Sequence, residues 1–292
     1  MPLAPEASRT RIALITGASG GLGAEIARAL VAAGKSHALA LTARRADRLA
    51  SLAAELRQAD PQVEVLTIAC DLIEPEVPMR VIAATKERFG RLDLLVNNAG
   101  LGLPTLFADA DPELLRRQIA LNFTVPLLLA RMALPNLLRS KGMIINIGSA
   151  ITTIPNSALG AYGATKAGLA YWNDALRREL KSQGVRVCLV EPGPIGTEFS
   201  EAFGHLVEPG EHAHPVFESP SAWMVVDAAD AAGRIVGLID RPRRRLSIGR
   251  RIVWPMRAVG TALRLWPSLG DYFVTYWYGV DHATKSPEEI AR

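Results

Sequence analysis

The sequence predicts a doubly wound α/β fold, a parallel sheet with helices on both faces, in a single domain. Two observations carry this. Short apolar runs of strand length alternate with longer segments of helical length, and no Gly/Ser linker or break in composition divides the series. A strand, a helix-length crossover and a second strand pack as a right-handed unit, so repeating the unit builds a parallel sheet buried on both faces.

The elements follow in chain order. "RIALIT" is a strand and "GLGAEIARALVAAG" a helix; "HALALT" is followed by "RADRLASLAAELRQA", and "VEVLTIA" by "PMRVIAATKERFG". "LDLLVN" then leads to one long helix over Pro112–Ser140. "MIINIG" precedes a helix over 160–182, and "VRVCLVEPG" is the sixth strand. Residues 198–222 mix Pro, Gly, His and Glu with isolated aromatics, which marks a long substrate loop in a compact domain. A helix over 227–239 and the short strand "LSIG" close the sheet. The catalytic domain is thus expected over 1–249, with a C-terminal helical extension, 250–292, packed on it.

Composition narrows the function classes. With 292 residues, 49% of them hydrophobic, the chain has enough apolar surface for a large core, which excludes a disordered or fibrous protein. The net charge of +4 is spread along helices and points to no nucleic-acid partner. Cys70 and Cys188 lie at or within apolar runs, so free thiols and a reducing, cytoplasmic setting are expected. Neither a signal peptide nor a spanning helix is indicated. His212 and His214 lack a second ligand cluster, so no metal site is expected.

"TGASGGLGAEIA" follows the first strand and opens the first helix. Gly17, Gly21 and Gly23, with Ser19 and Leu22 between them, leave room for a pyrophosphate, which the free N–H groups and dipole of the helix start stabilise. Glycines after a strand also make ordinary tight turns; their place on the first strand–helix junction favours the dinucleotide. The second strand ends with Ala43, Arg44 and Arg45, where an acid would bond the ribose hydroxyls of NAD. Two guanidiniums pair instead with a 2′-phosphate, so NADP(H) is the expected cofactor, with Arg44 weighted above Arg45.

"GAYGATKAG" sets Tyr162 one helical turn before Lys166, on the same face. A carbonyl accepting hydride needs a proton on its oxygen, and the reverse reaction needs a base. Lowering a phenol pKa by about three units takes roughly 4 kcal/mol. An ammonium about 4 Å away supplies roughly that at an effective dielectric near 20, so Lys166 is expected to lower the pKa of Tyr162. Ser149, thirteen residues earlier at a strand end, converges on the same point and would hold the substrate oxygen.

Three ordered motifs, Thr16-Gly17-xxx-Gly21-x-Gly23, "NNAG" over 97–100 and Tyr162-xxx-Lys166, resemble the short-chain dehydrogenase/reductase family over about 9–248. The resemblance implies a Rossmann-type sheet, an Asp71-Leu72 contact with adenine, and Asn98, Ala99 and Gly100 beside the adenosine ribose. It implies that Lys166 bonds the nicotinamide ribose and that Asn122 orders a water for proton relay. Pro192, Gly193, Ile195 and Thr197 match the segment that holds the carboxamide. It implies a homo-oligomer, dimer or tetramer, formed by the helices over 112–140 and 160–182.

Two other classes compete with the oxidoreductase: a silent NADP(H)-binding sensor or scaffold, and an epimerase on the same fold. Asn122, Ser149, Tyr162 and Lys166 are all present, which favours the enzyme. The expected pocket, near Leu101–Leu106, Ile151, Thr152, Ile154 and the 198–222 loop, is mainly apolar and suits a lipophilic carbonyl or alcohol. The stretch 241–264 carries eight arginines and no acid, beside a stripe of Val253, Met256, Val259, Leu263 and Trp266. That pattern fits a helix packed over the cleft, or one lying on an anionic membrane surface.

Overall fold

The structure is a computed structural model in which residues 11–155, 157–199, 225–266 and 268 are described. Seven parallel strands form one sheet in the order β3-β2-β1-β4-β5-β6-β7. They are β1 (Arg11–Thr16), β2 (Ser36–Ala43), β3 (Glu64–Ala69), β4 (Leu94–Asn97), β5 (Met143–Ile147), β6 (Arg186–Pro192) and β7 (Arg245–Ile248). Successive side chains leave a strand on opposite faces, and both faces are buried. Ala13, Ile15, Leu39, Val96 and Ile145 pack on one side with α1 (Gly21–Ala32), α2 (Ala46–Ala59) and α7 (Ala228–Val236). Leu14, Ala40, Leu95, Ile144 and Val187 pack on the other with α3 (Val77–Phe89), α5 (Val125–Ser140) and α6 (Gly160–Leu180). The order reverses between β1 and β4, and a doubly wound sheet opens its ligand crevice at that point.

The helix expected over Pro112–Ser140 is α4 (Pro112–Ile119), a π-helical turn at Ala120–Thr124, and α5. Pro126 has no N–H to donate back to the preceding turn, and the Val125 N–H reaches Ala120 O instead. That turn brings Asn122, fully buried, to the sheet edge. Trp172 of α6 is partly buried against the second core layer. Among the described residues, Pro112–Ser140 alone is long and apolar enough to cross a membrane by length and composition, an 18-residue window of it having mean hydropathy 1.3, and its Leu129, Ala133 and Leu137 are buried in that layer.

The C-terminal stripe forms α8 (Arg250–Leu265), which is seated on the domain. Val253 is buried, Met256 and Leu263 are half-buried, and Val259 and Trp266 face outward with Trp254 and Leu265. Two features fix the helix. Arg257 and Arg245 both bond the buried carboxylate of Glu191 on β6. Gly260 lies so close to the segment after β5 that a Cβ there would stand 2.0 Å from Thr153 O. Gly260→Ala is therefore expected to destabilise by about 1 to 3 kcal/mol through overpacking. Gly233→Ala in α7, where a Cβ meets nothing within 4 Å, should gain about 0.5 to 1 kcal/mol. Thermal unfolding of the pair checks the seating of α8: equal stabilities would show that the helix does not rest on Thr153.

Candidate active site

The glycine-rich turn is clamped to the end of β4. Thr16 Oγ1 accepts the N–H groups of Asn98 and Ala99, both at 2.9 Å, while Asn98 Nδ2 donates to Thr16 O at 2.9 Å. Gly17 takes φ +68° and Gly21 φ +52°, the left-handed region. A Cβ at Gly23 would lie 2.4 Å from Gly17 O, so the first turn of the helix needs glycine at that position. No side chain caps α1, which leaves its first N–H groups open to an anion.

Beside this turn Arg45 Nε donates to Ser19 Oγ at 3.2 Å, and Arg45 Nη1 lies 2.8 Å from Glu198 Oε2. Arg48 Nη1 sits 2.6 Å from the other oxygen of the same carboxylate. Arg44 is exposed, and its charge acts on Asp71. Burial pushes the Asp71 carboxyl up, but Arg117 at 2.7 Å, the Ile73 N–H and Arg44 outweigh it and leave the group below its ordinary range. Leu72 is buried next to it.

Buried amides connect the strand ends to the helix that carries Tyr162. Asn97 Nδ2 donates to Asn146 Oδ1 at 2.8 Å, and Asn146 Nδ2 to Asn173 Oδ1 at 2.9 Å, tying β4, β5 and α6 together. Asn122 Oδ1 accepts the Leu101 N–H at 2.8 Å, and its Nδ2 donates to Leu101 O at 2.7 Å. Thr105 N donates to Ala158 O at 2.9 Å, which lays 101–106 against the segment leading to Tyr162.

Tyr162 and Lys166 are both buried, and the Tyr162 hydroxyl shares a hydrogen bond with the Ser149 side chain. Lys166 Nζ donates to Ile147 O at 2.9 Å and stands 5.8 Å from the centroid of the Tyr162 ring. The expected electrostatics need correction here. Burial pushes the Tyr162 phenol up to about 12, with the Ser149 hydrogen bond opposing it, and burial pushes Lys166 down to about 8. Burial is the largest cause at each group, and it acts against the charged form of both.

Pro192 ends β6, and Gly193 N donates to Ile248 O at 3.0 Å. Ile195 bridges to Val226, and Thr197 lies over Gly21, its Cβ 3.2 Å from where a Gly21 Cβ would be. The Phe199 ring lies 6.2 Å from that of Tyr162, between centroids. The rest of the expected substrate loop, with His212 and His214, falls outside the described residues, as do 269–292.

Sequence reasoning missed three residues of this region. Arg48 was legible as the third arginine of "ARRADR", three positions after Arg45 and on its helix face. Arg117 and Glu198 had no local signal, since their partners lie 46 and 150 or more residues away.

The sheet, its phosphate turn and a buried tyrosine–lysine pair at the switch point define a nucleotide-dependent oxidoreductase. The chain belongs to the short-chain dehydrogenase/reductase family, because the family model described as short chain dehydrogenase matches residues 11–205. It is 38% identical over 233 residues to a serine 3-dehydrogenase of Agrobacterium fabrum, covering 79% of this chain and 88% of that one. A probable NADP-dependent dehydrogenase of Haemophilus influenzae is 34% identical over 250 residues, covering 85% of this chain and 94% of its own. Among solved structures, a short-chain dehydrogenase from Sphingobium yanoikuyae in complex with NADPH superposes with TM-score 0.69 at 29% identity, covering 95% of this chain and 99% of that one.

Proposed function

We propose that the protein is an NADP(H)-dependent oxidoreductase that interconverts a lipophilic ketone or aldehyde and its alcohol. The observation that carries this reading is the Tyr162 hydroxyl hydrogen-bonded to Ser149 beside a buried lysine. The residues present fit a phosphorylated dinucleotide: an uncapped helix start faces the glycine turn, and an anion, the Glu198 carboxylate, is already bound between Arg45 and Arg48. When bound, the cofactor supplies or accepts the hydride. Gly100 leaves Lys166 Nζ room at the ribose side, with 3.7 Å between Nζ and the position of a Cβ.

Ser149 positions the substrate oxygen with its hydroxyl, and Tyr162 delivers a proton to that oxygen as its negative charge grows. Asn122 holds Leu101 and thereby the wall of the pocket; its place in a water relay belongs to this proposal. Half-buried Ile151, Thr152 and Ile154, with Leu101 and Leu103, support an apolar substrate. A screen of NADPH oxidation against aliphatic, aromatic and steroid-like ketones tests the reading, and inertness toward every carbonyl class would overturn it.

NADP(H) over NAD(H) is expected to depend on Arg45, whose side chain is bonded to the phosphate turn, more than on Arg44. A charge-assisted hydrogen bond contributes about 1.5 to 3 kcal/mol, so Arg45→Ala should cost roughly ten- to a hundredfold in NADPH affinity and leave NADH nearly unchanged. Equal losses for the two cofactors would show a structural arginine. Exposed Ile119, Leu128 and Tyr171 on the helices of the expected interface support a homo-oligomer. The outward Trp254, Leu265 and Trp266 of α8 are the surface that peripheral membrane contact would use. The free thiols of Cys70 and Cys188 suit a reducing cytoplasm.

A further inference from the structure

The start of the substrate loop lies across the cofactor groove, and three contacts hold it there. Glu198 bridges Arg45 and Arg48 at 2.8 and 2.6 Å. Its Oε2 is 3.7 Å from the position of a Gly20 Cβ, directly over the phosphate turn, and Arg45 Nη2 is 3.0 Å from the same point. Thr197 covers Gly21, and Phe199 lies beside Tyr162, the ring planes at 46°. One three-residue segment therefore spans the distance from the phosphate turn to the tyrosine.

A carboxylate held by two guanidiniums beside a serine hydroxyl occupies a seat built for an anion. Both Glu198 and its arginines are about half exposed, with side-chain exposures of 49% for Glu198, 44% for Arg45 and 49% for Arg48. Ion pairs at that exposure are weak and exchangeable. A phosphate carries up to twice the charge and has more acceptor oxygens, so it competes well for the same donors.

We propose that Ser19, Arg45 and Arg48 form the seat of the cofactor's 2′-phosphate and that Glu198 is a built-in competitor for it, so that a nucleotide carrying the 2′-phosphate displaces Glu198 and draws Phe199 away from Tyr162. The inference rests on the NADP(H) reading and goes beyond it in two respects. It assigns Arg48 to the phosphate, and it makes entry to the tyrosine conditional on the 2′-phosphate. A nucleotide lacking that phosphate leaves Glu198 on its arginines and Phe199 in place. The cofactor therefore binds before the substrate, and NADH is disfavoured twice, by weaker affinity and by a covered tyrosine.

Calorimetry with 2′,5′-ADP and 5′-AMP on the full chain tests this without turnover. Glu198→Gln keeps the size of the side chain and removes its charge, and it should bind 2′,5′-ADP about three- to tenfold more tightly, the return of two partly exposed ion pairs. Its affinity for 5′-AMP should not change. Arg48→Ala should weaken 2′,5′-ADP and spare 5′-AMP. Fluorophenylalanine placed at Phe199 should shift its fluorine resonance with 2′,5′-ADP and stay put with 5′-AMP.

If Glu198→Gln leaves 2′,5′-ADP binding unchanged or weakens it while the wild type still prefers 2′,5′-ADP to 5′-AMP, the competitor is refuted and the cofactor reading stands. A fluorine resonance that ignores 2′,5′-ADP refutes the link to Tyr162 in the same way. If the wild type binds the two nucleotides equally, the NADP(H) reading fails and takes this inference with it.

Discussion

Tyr162→Phe is expected to abolish turnover while leaving NADPH binding nearly intact. The ring is buried in α6, 7% exposed, and the substitution keeps its volume while deleting the hydroxyl that bonds Ser149. General acid catalysis by a positioned group contributes about a hundred- to ten-thousandfold, and water cannot easily replace the phenol at a site this enclosed. The loss should therefore fall on kcat, with KM for NADPH little changed. Rate assays beside a fluorescence titration of the cofactor separate the two. A variant retaining more than a few per cent of wild-type turnover would remove the tyrosine from the proton transfer. The pH profile carries a second expectation: because burial raises the phenol to about 12, reduction should not lose its proton donor as pH rises from 7 to 9.

The site divides into parts that were legible and parts that were not, along physical lines. Gly17, Gly21, Gly23 and the Tyr162–Lys166 spacing are local: a turn and one helical repeat fix them, and sequence displays both. The parallel sheet follows from its crossovers, and β7 takes its place beside β6 as expected. Long-range pairings leave no such trace. Glu198 meets Arg45 because β6 and β2 end at the same edge of the sheet, and Arg117 meets Asp71 because α4 crosses the end of β3. A glycine inside a helix shows in sequence only as a weak helix former, and Gly260 is the place where α8 touches the backbone of Thr153. The π-turn around Asn122 could be read only as far as Pro126, which marks a lost hydrogen bond without saying how the helix absorbs it. The direction of the Tyr162 pKa went astray for a related reason: spacing shows the distance between charges, whereas the desolvation that dominates comes from elements far apart in the chain.

Lys166→Met should be at least as damaging to turnover as Tyr162→Phe, since it removes the cation beside the tyrosine and the group that would hold the ribose. It also carries a signature in stability that no loss of activity can mimic. In the folded cofactor-free chain Lys166 is 4% exposed and burial lowers its pKa to about 8 from the ordinary 10.5. Between those values the unfolded chain binds more protons at this site than the folded one, so stability rises with pH through that window. Below about pH 8 the ammonium is buried at full cost, about 3 kcal/mol from the size of the shift. Methionine fills the space without a charge, so the variant should be the more stable protein at pH 7, and its advantage should shrink steadily from pH 8 toward 10. The bond from Nζ to Ile147 O, lost in the variant, lowers the advantage by the same amount at each pH while the lysine is charged and leaves its slope to the titration. Urea midpoints of both proteins at pH 7 and pH 10 measure the difference. Parallel stability profiles would mean that the lysine ammonium is solvated in the free enzyme and that the cofactor, rather than the fold, encloses it.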